Sequence, residues 1–169
     1  MPQLLDPNFS RTVVLLCEHR DEGAMGLVLN RPSDTLASQI VQLDSDLAQD
    51  NGLTVWLGGP VDPTRGWLLI GEDYNEGVTI APGLYLSASR ELLRRVLEAP
   101  ETPERCRFLV GYAGWGPRQL DGELAASAWL TVPVDPELLF DTPSELMWET
   151  AIRRLGIEPT ALTMGPGVH

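Results

Sequence analysis

The ten residues Gly111 to Leu120, G-Y-A-G-W-G-P-R-Q-L, constrain this chain more than any other stretch of it. They follow an apolar run, Phe108-Leu109-Val110, and precede the alanine-rich segment Glu123 to Ala128. Glycine permits positive φ and close backbone approach, and proline suits the first turn of a helix. The pattern predicts a strand that breaks sharply at Gly111 to Gly116 into a helix over Gln119 to Ala128, with Tyr112 and Trp115 held in or beside the break. Such a corner either floors a pocket or simply turns the chain.

The rest of the sequence supplies more strands than helices. Residues 12–17 (T-V-V-L-L-C) and 24–30 (A-M-G-L-V-L-N) flank the polar stretch Arg20 to Gly23. This reads as a hairpin with a loop somewhat longer than minimal, and its near-continuous apolarity suits strands covered on both faces. Leu36, Ile40, Leu43 and Leu47 recur at helical spacing, with Ser33 or Asp34 placed to cap that helix. Leu53 to Leu57 reads as a strand, broken by Gly58-Gly59-Pro60. Further strands follow at Trp67 to Ile70, Val78 to Ile80 and Leu84 to Leu86, with an acidic loop at Glu72 to Gly77. Ser87 or Ser89 starts a helix whose apolar face is Leu92, Leu93, Val96 and Leu97. Trp129 to Val134 reads as a last strand. Thr142-Pro143-Ser144-Glu145 fits a capping box leading into a helix that buries Trp148, Ala151, Ile152 and Leu155. The order is not a regular alternation of strand and helix. It predicts an α+β fold: a mixed, mostly antiparallel, barrel-like sheet with helices packed outside. Residues 1–157 read as a single domain, and 158–169 as a loosely held tail.

Charge narrows the function classes. Twenty-four acids face twelve bases, a net charge of −12, and every base is arginine. Without lysine, Schiff-base chemistry, pyridoxal phosphate attachment and a phosphate-loop lysine are excluded. A strongly acidic chain repels the nucleic-acid backbone unless its bases are segregated on one face. Arg90, Arg94 and Arg95 do cluster, but Glu91 and Glu98 stand at spacings that pair with them, which suits a solvated helix face. No apolar run is long enough to span a bilayer, and no basic-then-apolar leader precedes the first strand, so the expected setting is cytoplasmic and without a membrane partner. Cys17 and Cys106 lie in apolar runs and read as free, buried thiols.

Candidate chemistry begins with Cys17-Glu18-His19. On a regular strand Cys17 and His19 share a face, and a thiol beside an imidazole can be activated as a nucleophile. Parallel side chains on one strand seldom aim at each other, however, and no third orienting group is evident. Adding Cys106 and His169 does not make a convincing metal site. Asn30-Arg31 sits where a strand leaves the sheet: Arg31 suits an anion, while the plainer reading is a turn whose arginine meets nearby acids, and the same holds for Arg11. Gly58-Gly59 reads as a turn before an anion cradle. The Gly111 to Gly116 corner offers backbone donors at a helix start, although Asp121 and Glu123 already complement that end. Tyr112 and Trp115 read first as core aromatics. The candidate pocket or ligand contacts are therefore His19, Asn30, Arg31, Gly58, Gly59, Tyr112, Trp115 and Gln119. No catalytic residue is assigned, and neither metal nor cofactor is expected.

Four segments together resemble a known family: L-D-P-N-F-S-R-T-V-V-L-L-C-E-H at 5–19, G-A-M-G-L-V-L-N-R-P at 23–32, G-G-P-V at 58–61 and G-Y-A-G-W-G-P-R-Q-L-D-G-E at 111–123. Ala128-Trp129-Leu130, Leu139-Phe140 and Trp148 extend the likeness along the whole chain. These resemble the AlgH/YqgE family of bacterial proteins. The resemblance implies a compact α+β domain with a barrel-like sheet and no assigned biochemical activity. Some members carry a transcriptional-regulator label, from an association with alginate production, without a DNA-binding motif. Arg118 departs from the family pattern, which often has glycine there, and implies a less open corner.

The leading reading is a non-enzymatic binding or regulatory protein that engages a small molecule or a protein partner. The alternative is a small-molecule enzyme using Cys17 and His19 with Arg31. A direct DNA-binding regulator comes last. Gel-shift titration at low salt should accordingly show no specific complex, and tight binding that weakens steeply with added salt would overturn that expectation.

Overall fold

The structure is a computed structural model that describes residues 11–37, 52–71, 77–101 and 103–163. Eight strands form one sheet: β1 (Val14–Arg20), β2 (Gly23–Val28), β3 (Pro32–Leu36), β4 (Thr54–Leu57), β5 (Val61–Ile70), β6 (Val78–Ala81), β7 (Leu84–Ser87) and β8 (Cys106–Trp115). Their order is β1-β2-β8-β5-β7-β6, with β4 joining β8 from the side and β3 pairing β4. Every pairing is antiparallel except β4 with β8. The sheet curls into a nearly closed barrel. Five helices among the described residues complete an α+β fold: α1 (Arg90–Glu98), α2 (Gln119–Ala125), α3 (Pro136–Asp141), α4 (Ser144–Arg154) and α5 (Pro159–Thr163).

Strand β8 organises the core because its two faces feed two apolar clusters. Cys106 and Phe108 join Leu68, Ile70 and the Leu92, Leu93, Val96 and Leu97 face of α1. That helix starts where the sequence predicts, with Ser89 Oγ accepting from the Leu92 N–H at 3.2 Å. Its Arg94 pairs with Glu91 and Glu98, as the spacing predicts. On the other face, Leu109 packs with Leu27, Leu69, Leu139 and Met147. Arg107 shares that face and is buried, with its guanidinium 4.0 Å from the Trp56 ring and donating to the Leu29 carbonyl at 3.2 Å. Burial lowers its pKa from the ordinary arginine value. A third cluster, Ala24, Ala113, Trp115 and Leu120, lies where β2, the end of β8 and α2 meet.

One close crossing sets this layout. Strand β8 pairs with β2 over Ala113 to Trp115 and with β4 over Phe108 to Val110, so its partner on that side changes near Gly111. Gly58 bridges the change: its N–H donates to the Val110 carbonyl and its carbonyl accepts from the Val28 N–H, both at 2.8 Å. Gly59 and Gly111 then meet with no room for a side chain. A Cβ on Gly59 would lie 2.2 Å from the Tyr112 carbonyl carbon, and one on Gly111 would lie 2.3 Å from the Gly59 oxygen. Both have positive φ, 153° and 76°.

The structure corrects several sequence expectations. Gly111 has the predicted positive φ, yet β8 runs unbroken through it to Trp115; the break falls at Gly116 to Arg118 instead. Pro117 lies in the turn before the helix, Arg118 takes the left-handed conformation as its N-cap, and α2 ends at Ala125 rather than Ala128. The β1–β2 loop is the minimal two residues, since Arg20 pairs with Gly23. Ser33 and Asp34 lie inside β3, not at a helix cap, and Leu36 is strand; the expected helical stripe at Ile40, Leu43 and Leu47 lies outside the described residues, as do positions 72–76 of the acidic loop and His169. Trp129 to Val134 forms no strand. The capping box at Thr142 is absent, because α4 begins at Ser144 with no side-chain cap and Ser144 bonds Glu145 instead. Helix α3, capped by Asp135, has only two core leucines, too short an apolar pattern to predict.

The crossing predicts a graded glycine series. Gly59→Ala and Gly111→Ala should each lose about 3 kcal/mol or fail to fold, as overpacking against backbone does. Gly114→Ala should cost less than about 1 kcal/mol, since its Cβ would meet Tyr112 at an ordinary 3.6 Å. Urea melts of the three variants check this ranking.

Candidate functional site

An apolar cavity of about 420 Å³ borders β1. Residues 12–16 and 129–135 both line it continuously. Continuous lining means that chain edges, not single faces, border the space, because alternate residues of a strand point opposite ways. β1 pairs only with β2 among the described strands, so its outer edge carries no ladder. Trp115, Leu120 and Leu124 also line it, as do Leu138, Leu139, Met147, Trp148, Ala151 and Ile152 from α3 and α4. The cavity thus lies on the seam between the Trp115 cluster and the Leu139–Met147 cluster. Leu16, Leu130 and Val134 remain exposed on its lining at 39%, 37% and 47%.

Aromatic and charged groups frame the space. Trp115 and Trp129 meet edge to face at 5.7 Å. Trp148 is buried beneath the Arg11 guanidinium, which stands 4.7 Å from its ring. Arg11 also reaches Glu149 at 3.8 Å, and Glu149 reaches Arg153 at 3.7 Å. Asp135, also on the lining, caps α3 by accepting from the Glu137 N–H at 3.0 Å and pairs with Arg154. The Arg154 hydrogen bond, then that N–H, hold the Asp135 carboxyl below its ordinary value.

Of the residues proposed from sequence, only Trp115 lines this cavity. Asn30 instead closes the strand entry: its side chain accepts from the Val13 N–H and donates to the Arg11 carbonyl, both at 3.0 Å. The Arg31 carbonyl accepts from the Leu57 N–H. Gly58 and Gly59 form the crossing. Tyr112 packs edge to face on Trp67 at 6.3 Å, and Gln119 Oε1 accepts from the Gly116 N–H at 2.9 Å across the turn.

Cys17 and His19 are kept apart by a bulge. The β1–β2 register skips between Leu16 and Glu18, leaving Cys17 as the extra residue, so the simple rule that i and i+2 share a face fails. Cys17 packs on the Leu15–Leu27 cluster and its thiol donates to the Leu15 carbonyl at 3.5 Å. His19 turns the other way, its Nε2 lying 2.8 Å from Asp121 Oδ1 on α2. Asp121 is an orienting partner the sequence reading missed; it stands 102 residues away, and no local spacing signals it. The pair is largely exposed and ties the end of β1 to α2.

Fold and site together define a compact α+β barrel-like domain with a lateral apolar cavity. The AlgH-like family model matches residues 1–160, and the chain belongs to that family. It is 44% identical to a UPF0301 protein of Anaeromyxobacter sp. (strain Fw109-5), over 98% of this chain and 89% of that one. It is 40% identical to a UPF0301 protein of Myxococcus xanthus, over 100% and 94%. The solution structure of the AlgH protein from Pseudomonas aeruginosa superposes with a TM-score of 0.76 at 37% identity, covering 99% of this chain and 90% of that one. A crystal structure of a Corynebacterium diphtheriae protein shares the fold, with a TM-score of 0.70 at 21% identity over 90% and 82%. No helix of the described residues is long and apolar enough to cross a membrane.

Burial pushes the Cys17 thiol up to about 12. A free thiol titrates near about 8.5. Native Cys17 should therefore alkylate far more slowly than the denatured chain at neutral pH. Its rate should keep climbing with pH where the denatured thiol has levelled off. Iodoacetamide labelling with peptide mapping measures both.

Proposed function

We propose that this protein acts by binding, as a non-enzymatic cytoplasmic binding or regulatory protein whose ligand enters the lateral cavity. The observation that carries this reading is the cavity's size and lining. About 420 Å³ falls in the range of small-molecule sites, roughly 300–1,000 Å³. Its walls are mostly apolar side chains, with a few polar groups at the edges. Placing an apolar body there removes both that body and the exposed Leu16, Leu130 and Val134 from water. Two free thiols, Cys17 and Cys106, suit a reducing compartment. The chemistry expected of a Cys17 nucleophile finds little support, since its thiol is protonated and committed to a backbone carbonyl.

The neutral dye N-phenyl-1-naphthylamine, which brightens in apolar surroundings, tests the reading. The dye should bind the wild-type protein saturably. Leu16→Glu should weaken it at least several-fold by placing a charge on the lining. Leu57→Glu should not, because Leu57 is 48% exposed but lies outside the cavity. Absence of dye binding, or equal loss in both variants, would overturn the proposal.

A further inference from the structure

Of the chain's arginines, Arg107 alone is buried, at 8% exposure. Arg94, Arg105 and Arg154, nearer the surface, each pair with a carboxylate. Arg107 has no carboxylate partner among the described residues, and burial is what lowers its pKa. A charge taken out of water without an opposite charge is costly, so this guanidinium is a group with an unmet demand. Stacking on Trp56 does not meet it. Arg65 stacks on Trp67 in the same way, but Arg65 is exposed and water serves it. The donors of Arg107 are also unevenly used. Nη1 donates to the Leu29 carbonyl at 3.2 Å, just past the end of β2, while the Trp56 ring of β4 lies 4.0 Å from the guanidinium carbon. Nε and Nη2 make no hydrogen bond among the described residues. They are not sealed either: the buried side-chain nitrogens and oxygens without a partner are those of Trp67 and Trp148, so Nε and Nη2 each keep an opening to solvent.

From this arrangement we infer that Arg107 is the anchor of a carboxylate-binding site at the junction of β2, β4 and β8. Nε and Nη2 form one edge of the planar guanidinium, and their parallel N–H bonds match the two oxygens of a carboxylate. The Leu29 carbonyl and the Trp56 ring hold the plane in position beforehand, so little side-chain freedom is lost when the anion arrives. Two residues earlier, Arg105 is already paired with Asp141 at 2.9 Å. Arg107 therefore offers a single positive charge, which a carboxylate balances and a phosphate dianion exceeds. The site is separate from the lateral cavity, whose lining does not include Arg107.

Titration of the isotope-labelled protein with acetate at constant ionic strength, followed by NMR, provides the test. Acetamide serves as the neutral isostere and inorganic phosphate as the competing oxyanion. The Arg107 Nε–H signal, assigned through its own side chain in the wild-type protein, should move downfield and saturate with acetate. It should hold still with acetamide, and phosphate should bind several-fold more weakly. The Leu29 and Trp56 amide signals should report the same acetate affinity. In Arg107→Lys, which keeps the charge but loses the two-pronged edge, those amides should show acetate weakened about tenfold, the worth of one hydrogen bond to a charged group. Arg65→Gln should leave the affinity unchanged. A wild-type protein that does not saturate, responds equally to acetamide or prefers phosphate would overturn the inference, and these readings need no variant. Undiminished acetate binding in a folded Arg107→Lys protein would overturn it as well. None of these results depends on dye binding in the lateral cavity.

Discussion

Two backbones cannot approach as closely as those at Gly59 and Gly111 unless neither carries a side chain. That contact determines much of the remaining structure. It lets β8 exchange β4 for β2 along one edge while keeping β5 on the other, with Gly58 hydrogen-bonded to both Val28 and Val110 at the fork. A ladder with an unpaired stretch there would bury backbone donors and acceptors without partners. The crossing satisfies them, and the sheet can branch and curl. The three apolar clusters then form on the faces that the branching presents to α1, α2 and the α3–α4 pair.

The cavity is a consequence of the same topology. Strand β1 ends up at the sheet's edge with only β2 beside it. Residues 129–135 pass alongside without forming a ladder, and Pro133, which has no N–H to donate, is part of the reason. Edge strands usually need protection from water and from other chains. Here the protection is partial, provided by α3, α4 and the passing segment, and the incomplete cover leaves a space. Packing stops short there, and the space is a by-product of how the edge strand is covered.

The exposed His19–Asp121 pair shows how side-chain chemistry is misread when register is unknown. On paper, Cys17 and His19 are neighbours on one strand face. A single extra residue at the bulge sends the thiol into the Leu15–Leu27 cluster and the imidazole towards α2. The thiol is thereby desolvated and kept protonated, while the imidazole gains a carboxylate.

Local sequence patterns determined a good part of this protein. The apolar runs and turn residues placed β1, β2, β4 and β8; Ser89 and the Leu92–Leu97 spacing placed α1; the strand-rich order gave the α+β class. These signals are short-range, set by backbone preference and by which side of one element is apolar. The absence of lysine and the acid excess were likewise plain from composition. Tertiary structure decided everything that depends on two distant segments meeting. It turned Ser33 and Asp34 into strand residues by pairing β3 with β4. It left Trp129 to Val134 without a strand partner, and carried β8 past the glycines that looked like its end. The cavity belongs to the same class, because its walls are drawn from β1, α2, α3, α4 and residues 129–135, and the space exists only as the gap among them. Shape between elements has no local signature, so the cavity became visible only when the chain was folded.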